Sequence, residues 1–564
     1  MLSTKPSTAA ATLGLLACVA ATWARAEAPS GLSAVNHIVV IYQENHSFDN
    51  LFGGWEGVEG IAQADPEHTQ QVAQDGTAYD CLLQNDPGLT SPKPLEATCK
   101  DRAHRIESAF RNAPFHIDTF VPPVAPTCPG GKPGGAPGGC TRDLVHRFYQ
   151  EQYQLNGGHM NRYVTGSDAV GLAMGVYDTR RLPIYTYLHA QGHPHYVIAD
   201  RFFQAAFGGS LLNHHWLVAA ATPVFKHAVA DGSADDLHAV LDANGMPAVY
   251  PLYKPEGEVK AKDSAPLTAP CTEKVKSLGL ACGSYAVNTI QPAFQPYAPG
   301  APEAKRLRPQ VNPTIGDALS TAGVDWAWYS GGWSNANGDV GAPGWTNEDG
   351  KRCSDPATKQ GAVAPHCPNR LFQFHHQPFN YYAAFDPGTA AGRANRKAHL
   401  KDEAGLMQLV GASGDACRLK PVSFVKPIGA DNEHPGYASE SVGAQHALDL
   451  IRAIEASACA PDTLIILTYD EFGGQWDHVP PPGQGGAPGP HDIWGPGTRV
   501  PALLLSPLLP APAAVDHTLY DTTSILATIE RRFGLEPLSS RDASVKDLSE
   551  AWSSARPLGT SKGS

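Results

Sequence analysis

The sequence predicts an α/β fold built on a mainly parallel central sheet flanked by helices, and three observations point to it. Two short runs, Val35 to Tyr42 and Thr463 to Tyr469, are continuous and β-branched rather than alternating, the pattern of strands buried on both faces. A third run, Val500 to Ser506, has the same character with Pro501 near its start. Between the runs, Ser439 to Glu455 and Thr522 to Phe533 repeat apolar residues at helical spacing, the second ending at Gly534 as a C-cap. Strands separated by helices favour parallel pairing.

The remaining chain reads as loops around this core. It holds 56 Gly and 49 Pro in 564 residues, well above the usual ~12% for the two together. With 42% hydrophobic and 17% charged residues, the composition is that of an ordered protein. Segments 121–141, 255–310 and 335–367 are rich in Pro, Gly and Cys and decorate the core as long loops or a small subdomain. A formal charge of −13 and the lack of any Lys/Arg run exclude a generic nucleic-acid binder.

At the N-terminus, Lys5, the apolar stretch Leu13 to Ala21 and Ala24-Arg25-Ala26 form the pattern of a secretory signal peptide over residues 1–26. Trp23, Arg25 and Glu27 end the stretch too early for a membrane span, which needs ~20 apolar residues. Cleavage removes Cys18 and leaves an even set of cysteines in close sequence pairs: Cys81/Cys99, Cys128/Cys140, Cys271/Cys282, Cys353/Cys367 and Cys417/Cys459. With no Cys-x-x-Cys for zinc, these read as disulfides of an exported protein, periplasmic or secreted.

Active sites of open parallel sheets lie beyond the carboxyl ends of strands. The first strand runs into Gln43-Glu44-Asn45-His46-Ser47-Phe48-Asp49 and the second into Asp470-Glu471-Phe472-Gly473-Gly474. Two such oxygen-rich clusters on neighbouring strands can share one divalent cation, although each acid taken singly also serves as a helix or loop cap. The Gly-Gly turn before Trp476-Asp477-His478 suggests a chain returning His478 to the same site. Between the strands, Gly208-Gly209-Ser210 precedes an apolar, helix-compatible stretch. Read alone it is an N-cap; beside a metal, Ser210 becomes a nucleophile without a Ser-His-Asp triad. No Gly-x-Ser-x-Gly elbow is present, which argues against a carboxylesterase.

Taken in order, Glu44 to Asp49, Thr468 to Gly474 with Asp477-His478-Val479, and Gly497-Thr498-Arg499-Val500-Pro501 resemble the bacterial phospholipase C/acid phosphatase family of the alkaline-phosphatase-like superfamily. The likeness spans residues 35 to 545, so residues 27–545 are expected to form one phosphoesterase domain ahead of a tail at 546–564. Phospholipase C members usually carry a Gly-Pro-Thr setting where this chain has Gly208-Gly209-Ser210. That departure, with Asp143-Leu144-Val145-His146, Asn156-Gly157-Gly158, Phe374 to Phe379 and His434-Pro435, resembles the acid phosphatase branch.

The resemblance implies Ser210 as nucleophile and one divalent metal ion held by Glu44, Asn45, Asp470, Glu471 and Ser210. Glu471 stands where related phosphatases can carry a second Asp. His146, His376 and His434 are implied to face phosphate, with His375 as the alternative to His376. His434 or His478 is the expected leaving-group acid. An imidazole of ordinary pKa ~6.5 becomes cationic in mild acid and stabilises a phosphoryl group. His104, His159, His227 and His517 accompany no motif and read as structural.

These expectations describe a phosphomonoesterase. A phospholipase C acting on phospholipid or phosphorylcholine diesters is the alternative, with Trp326, Trp328, Tyr329 and Trp333 as a choline cage or, equally, a core strand. A non-catalytic binding protein on the same fold is more remote, because the nucleophile, oxygen ligands and histidines occur together.

Overall fold

The computed structural model describes residues 31–84, 95–119, 142–190, 195–225, 237–261, 263–297, 306–346, 371–510 and 512–558, with Met1, His193 and Asn369 singly. The expected signal peptide, the pairs Cys128/Cys140 and Cys353/Cys367, His227 and the insertion 121–141 lie outside the described residues, as do parts of the other two insertions and the end of the tail.

Nine strands form the central sheet: β1 (His37–Gln43), β2 (Tyr196–Ala199), β3 (Trp326–Ser330), β4 (Leu400–Asp402), β5 (Val422–Lys426), β6 (Thr463–Tyr469), β7 (Ala502–Leu505), β8 (Ala514–Asp516) and β9 (Arg556–Pro557). Their spatial order is β9-β8-β2-β7-β6-β1-β5-β3-β4. The block β6-β1-β5-β3-β4 is parallel throughout. All of β3, β5 and β6 and all of β1 beyond His37 are buried, which is why these strands read as unbroken apolar runs. The third run, by contrast, contributes β7, which is antiparallel to both β6 and β2. A continuous apolar run reports coverage of both faces and carries no signal of direction.

Four helices bear on the site or test the reading: α1 (Phe148–Leu155), α2 (Ser210–Ala219), α3 (Glu440–Glu455) and α4 (Thr523–Phe533). For α3, the Ser439 side chain caps the N-terminus by accepting from the Val442 N–H at 3.1 Å. In α4, Gly534 ends the helix in the left-handed region at φ 67°. Among the described residues no helix is long and apolar enough to cross a membrane.

Trp326, Trp328 and Tyr329 lie on β3 and Trp333 follows it, all at most 1% exposed. Trp328 stacks on Phe424 and Trp326 on His399, so these rings build the core and form no choline cage.

Three expected disulfides, Cys81–Cys99, Cys271–Cys282 and Cys417–Cys459, are formed. Cys417 and Cys459 are 42 residues apart and Cys271 and Cys282 only 11, so loop-closure entropy ranks the first higher. Replacing both cysteines by alanine is expected to cost about 4 kcal/mol for Cys417/Cys459 and about 3 kcal/mol for Cys271/Cys282. Denaturant unfolding of the two double variants checks the ranking, and the reverse order would refute it.

Candidate active site

Strand register brings the two acidic clusters together. Gln43 of β1 pairs with Tyr469 of β6, so Glu44 and Asp470 leave the sheet side by side. Asn45 then turns through the left-handed region at φ 62°, and its N–H donates to Asp470 Oδ1 at 3.3 Å. The same oxygen accepts from the Glu471 N–H at 2.8 Å. Gly473 also has positive φ, and a Cβ there would sit 2.2 Å from the Asn45 carbonyl oxygen, so glycine is what allows the two loops to touch.

Ser210 is the first residue of α2, with Gly209 as the N-cap. Its hydroxyl is therefore not used for capping and donates instead to Glu44 Oε2 at 3.1 Å. Glu44 also pairs through Oε1 with the Lys426 ammonium at the end of β5, and His376 Nε2 lies 3.0 Å away. Burial pushes the Glu44 carboxyl up, but His376 and Lys426 outweigh it and hold the group well below the usual carboxylate range. Asp470 goes the other way: burial, reinforced by the charge of Glu44, raises it well above its ordinary value. Glu471 is likewise raised by burial and by Asp470.

Three of the expected histidines border this group. His434 Nδ1 lies 2.8 Å from the Pro435 carbonyl and must carry its proton there, which leaves Nε2 to accept from Asn45 Nδ2 at 3.0 Å. His146 Nδ1 is held in the same way by the Leu144 carbonyl at 2.6 Å, with Nε2 3.6 Å from Glu471 Oε1. The rings of His146 and His434 meet edge to face at 6.0 Å. His376 stacks on His214, 5.0 Å between ring centres. Burial lowers His376 to about 4, with the charge of Glu44 working the other way. Of its neighbour His375, burial lowers the pKa well below the ordinary value, and it is His376 that reaches Glu44.

His478 goes elsewhere. The Gly473-Gly474 turn carries it to Asp49, whose Oδ2 accepts from the His478 N–H at 2.9 Å and lies 2.5 Å from Nδ1. Arg499, fully buried, completes this second cluster: Nε donates to Asp477 Oδ1 at 2.8 Å and Nη2 lies 3.3 Å from Asp49 Oδ1. Among the described residues the polar contacts of His478 run to Asp49 and Arg499, and none runs to Glu44 or Ser210. Of the histidines read as structural, His104, His159 and His517 pair with Asp101, Glu67 and Asp200.

The oxygen-rich centre fits a hard divalent cation. Asn45 Oδ1, Asp470 Oδ2 and Glu471 Oε1 are buried and accept no hydrogen bond, and the raised Asp470 and Glu471 carboxyls mark negative charge with too few partners. The fit has one qualification. Among the described residues the tight groups of metal-ligating side chains are Glu44–His214–His376, Asp143–His146–His434 and Asp49–Asp477–His478, and the trio Glu44, Asp470 and Glu471 is not one of them.

Sequence reasoning missed Lys426, His214 and the role of Arg499. Lys426 is the last residue of a strand parallel to β1, so a cation joins the acids at the carboxyl edge of the sheet. His214 stands one helical turn after Ser210, and its Nδ1 lies 2.7 Å from the Ser210 carbonyl.

A model of the Phosphoesterase family matches residues 35–536. Phospholipase C B of Mycobacterium tuberculosis is 26% identical over 95% of this chain and 80% of its own length. Non-specific phospholipase C4 of Arabidopsis thaliana is 35% identical over 133 residues, 20% of this chain and 24% of its own. Among solved structures, a protein in the alkaline phosphatase superfamily from Vibrio parahaemolyticus aligns with 45% of this chain and 56% of its own at 12% identity, with a TM-score of 0.22.

Proposed function

The chain belongs to the phosphoesterase family and is a phosphoric ester hydrolase, and on that premise we propose that it hydrolyses phosphomonoesters through a phosphoserine formed on Ser210. The observation that carries this reading is the Ser210 hydroxyl, free of capping duty, at the N-terminus of α2 and 3.1 Å from Glu44 Oε2. Helix N-termini favour anions, so a phosphoryl group approaching Ser210 meets the positive end of α2.

Asn45, Asp470 and Glu471, with Glu44 and Ser210, would hold a divalent cation, which when bound supplies charge stabilisation for the phosphoryl oxygens and a lower pKa for the serine. The chain's own groups do the rest. Ser210 Oγ attacks phosphorus in line as the bond to the alcohol oxygen breaks, and its proton is already directed at Glu44 Oε2. His146 is assigned the leaving-group proton in place of His434 or His478. Its side chain is 18% exposed against 7% for His434 and 5% for His478, and its Nε2 lies beside Glu471. His434 holds the Asn45 amide, and His376 steadies Glu44. Water then attacks the phosphoserine, and phosphate and the free serine are released. The three disulfides suit an oxidising compartment, which supports a periplasmic or secreted enzyme.

The phospholipase C names of the relatives favour a second reading, hydrolysis of phospholipid diesters. Against it stands the burial of the four aromatic residues that were the cage candidates. The two are separated by kcat/KM for p-nitrophenyl phosphate and p-nitrophenyl phosphorylcholine on the same protein. The monoester is expected to be preferred by about tenfold or more, ~1.4 kcal/mol in transition-state binding; an equal preference for the diester makes this a phospholipase C.

A further inference from the structure

We propose that Glu151 is a positioning residue that holds the Ser210 turn, the Glu471 turn and the His146 helix at one fixed separation; the proposal rests on Ser210 being the nucleophile.

Glu151 lies on α1, fully buried, and among the described residues no ion pair joins it to a cation. Its carboxylate is satisfied by hydrogen-bond donors alone. Oε2 accepts from the Gly208 N–H at 2.6 Å and from Gln204 Nε2 at 2.9 Å. Oε1 accepts from the Thr498 N–H at 2.8 Å and the Thr498 hydroxyl at 2.9 Å. A buried carboxylate without a counter-ion is costly, and an apolar side chain would serve a purely packing role better.

Each donor belongs to a segment of the site. Gly208 is two residues before Ser210, has φ 91°, and leaves no room for a Cβ, which would sit 2.7 Å from the Phe148 N at the start of α1. Gln204 passes the connection on, because its Oε1 accepts from the Phe472 N–H at 2.9 Å, next to Glu471. Glu471 is then fixed by the Gly473 N–H, which donates to its Oε2 at 2.6 Å. His146 precedes α1 by one residue, and a Cβ on Gly209 would sit 3.2 Å from the His146 ring. Gly497 approaches so closely that a Cβ would lie 2.5 Å from Glu151 Oε1. One carboxylate thus gathers backbone from the nucleophile turn and from the segment before β7 and, through Gln204, reaches the Glu471 turn.

Glu151→Gln keeps the shape but turns an N–H₂ toward the Gly208 or Thr498 N–H, so one turn must move back. A misplacement of about 1 Å near the chemistry costs on the order of 100-fold in rate. Steady-state kinetics on p-nitrophenyl phosphate, acid-quench measurement of phosphoenzyme and thermal unfolding are compared for wild type, Glu151→Gln and Ser210→Ala. Glu151→Gln is expected to lower kcat about 100-fold with KM within about threefold, while phosphoenzyme still forms, slowly. A kcat within threefold of wild type, or a change confined to KM, overturns the positioning role while Ser210→Ala remains inactive. If Ser210→Ala is active, the serine reading itself falls. Should Glu151→Gln fail to fold, Thr498→Ser and Thr498→Val decide: the hydroxyl retained by serine is expected to keep wild-type kcat, and valine to lose about three- to tenfold at unchanged KM. Equal kcat for the two overturns the proposal.

Discussion

Ser210→Ala is expected to lower kcat on a phosphomonoester by about 10⁴-fold or more and to abolish the trapped phosphoenzyme, because removal of a covalent nucleophile leaves only binding and electrostatics to act. The structure makes this a clean experiment. Gly209 caps α2, so alanine at 210 removes no capping bond, and alanine is the best helix former for the first turn. The hydrogen bond to Glu44 is lost, and Glu44 keeps Lys426 and His376 as partners. Stability is expected to stay within about 1 kcal/mol of wild type. Turnover within tenfold of wild type, on a protein that unfolds at the same temperature, would remove Ser210 from the reaction.

The largest expected loss of stability comes from Arg499→Met. The guanidinium is fully buried, donates from Nη1 to the Glu59 and Asp200 carbonyls at 2.8 and 2.7 Å, binds Asp477, faces Asp49, and lies over the Phe48 ring at 4.5 Å. Methionine replaces the apolar contact and none of the donors. Asp49 and Asp477 are then left buried without their cation, a situation that costs about 3–5 kcal/mol. Denaturant unfolding reads the loss, and a change below about 1.5 kcal/mol would show that water relieves the two acids. Arg499→Lys is expected to recover only part of it, since an ammonium cannot reproduce the fork that serves four acceptors.

How legible each element was follows from the range of the interaction behind it. Strands β1 and β6 declare themselves because two-sided burial is written in consecutive residues, and the acids that follow them inherit their position from the strand end. Ser210 was visible for the same local reason, yet its release from capping depends on Gly209 taking that place. His478 was misplaced because its partner Asp49 is 429 positions away, and nothing local tells a turn which loop it will meet. Lys426 carries no local sign of a role; only the β1–β5 pairing sets it over the Tyr42 ring and beside Glu44.

The direction of β7 has an architectural consequence. Every parallel strand of the block ends at the catalytic edge, so its useful residues come at or after its last position. Strand β7, reversed against that block, starts there, with Ala502 opposite Thr468 near the end of β6, so its useful residues come before it. Thr498 and Arg499 are delivered on the approach, one to Glu151 and the other to Asp49 and Asp477. The stretch from 480 to 496 is thus a tether with two fixed moorings, and changes in its length are tolerable only so far as both ends still land.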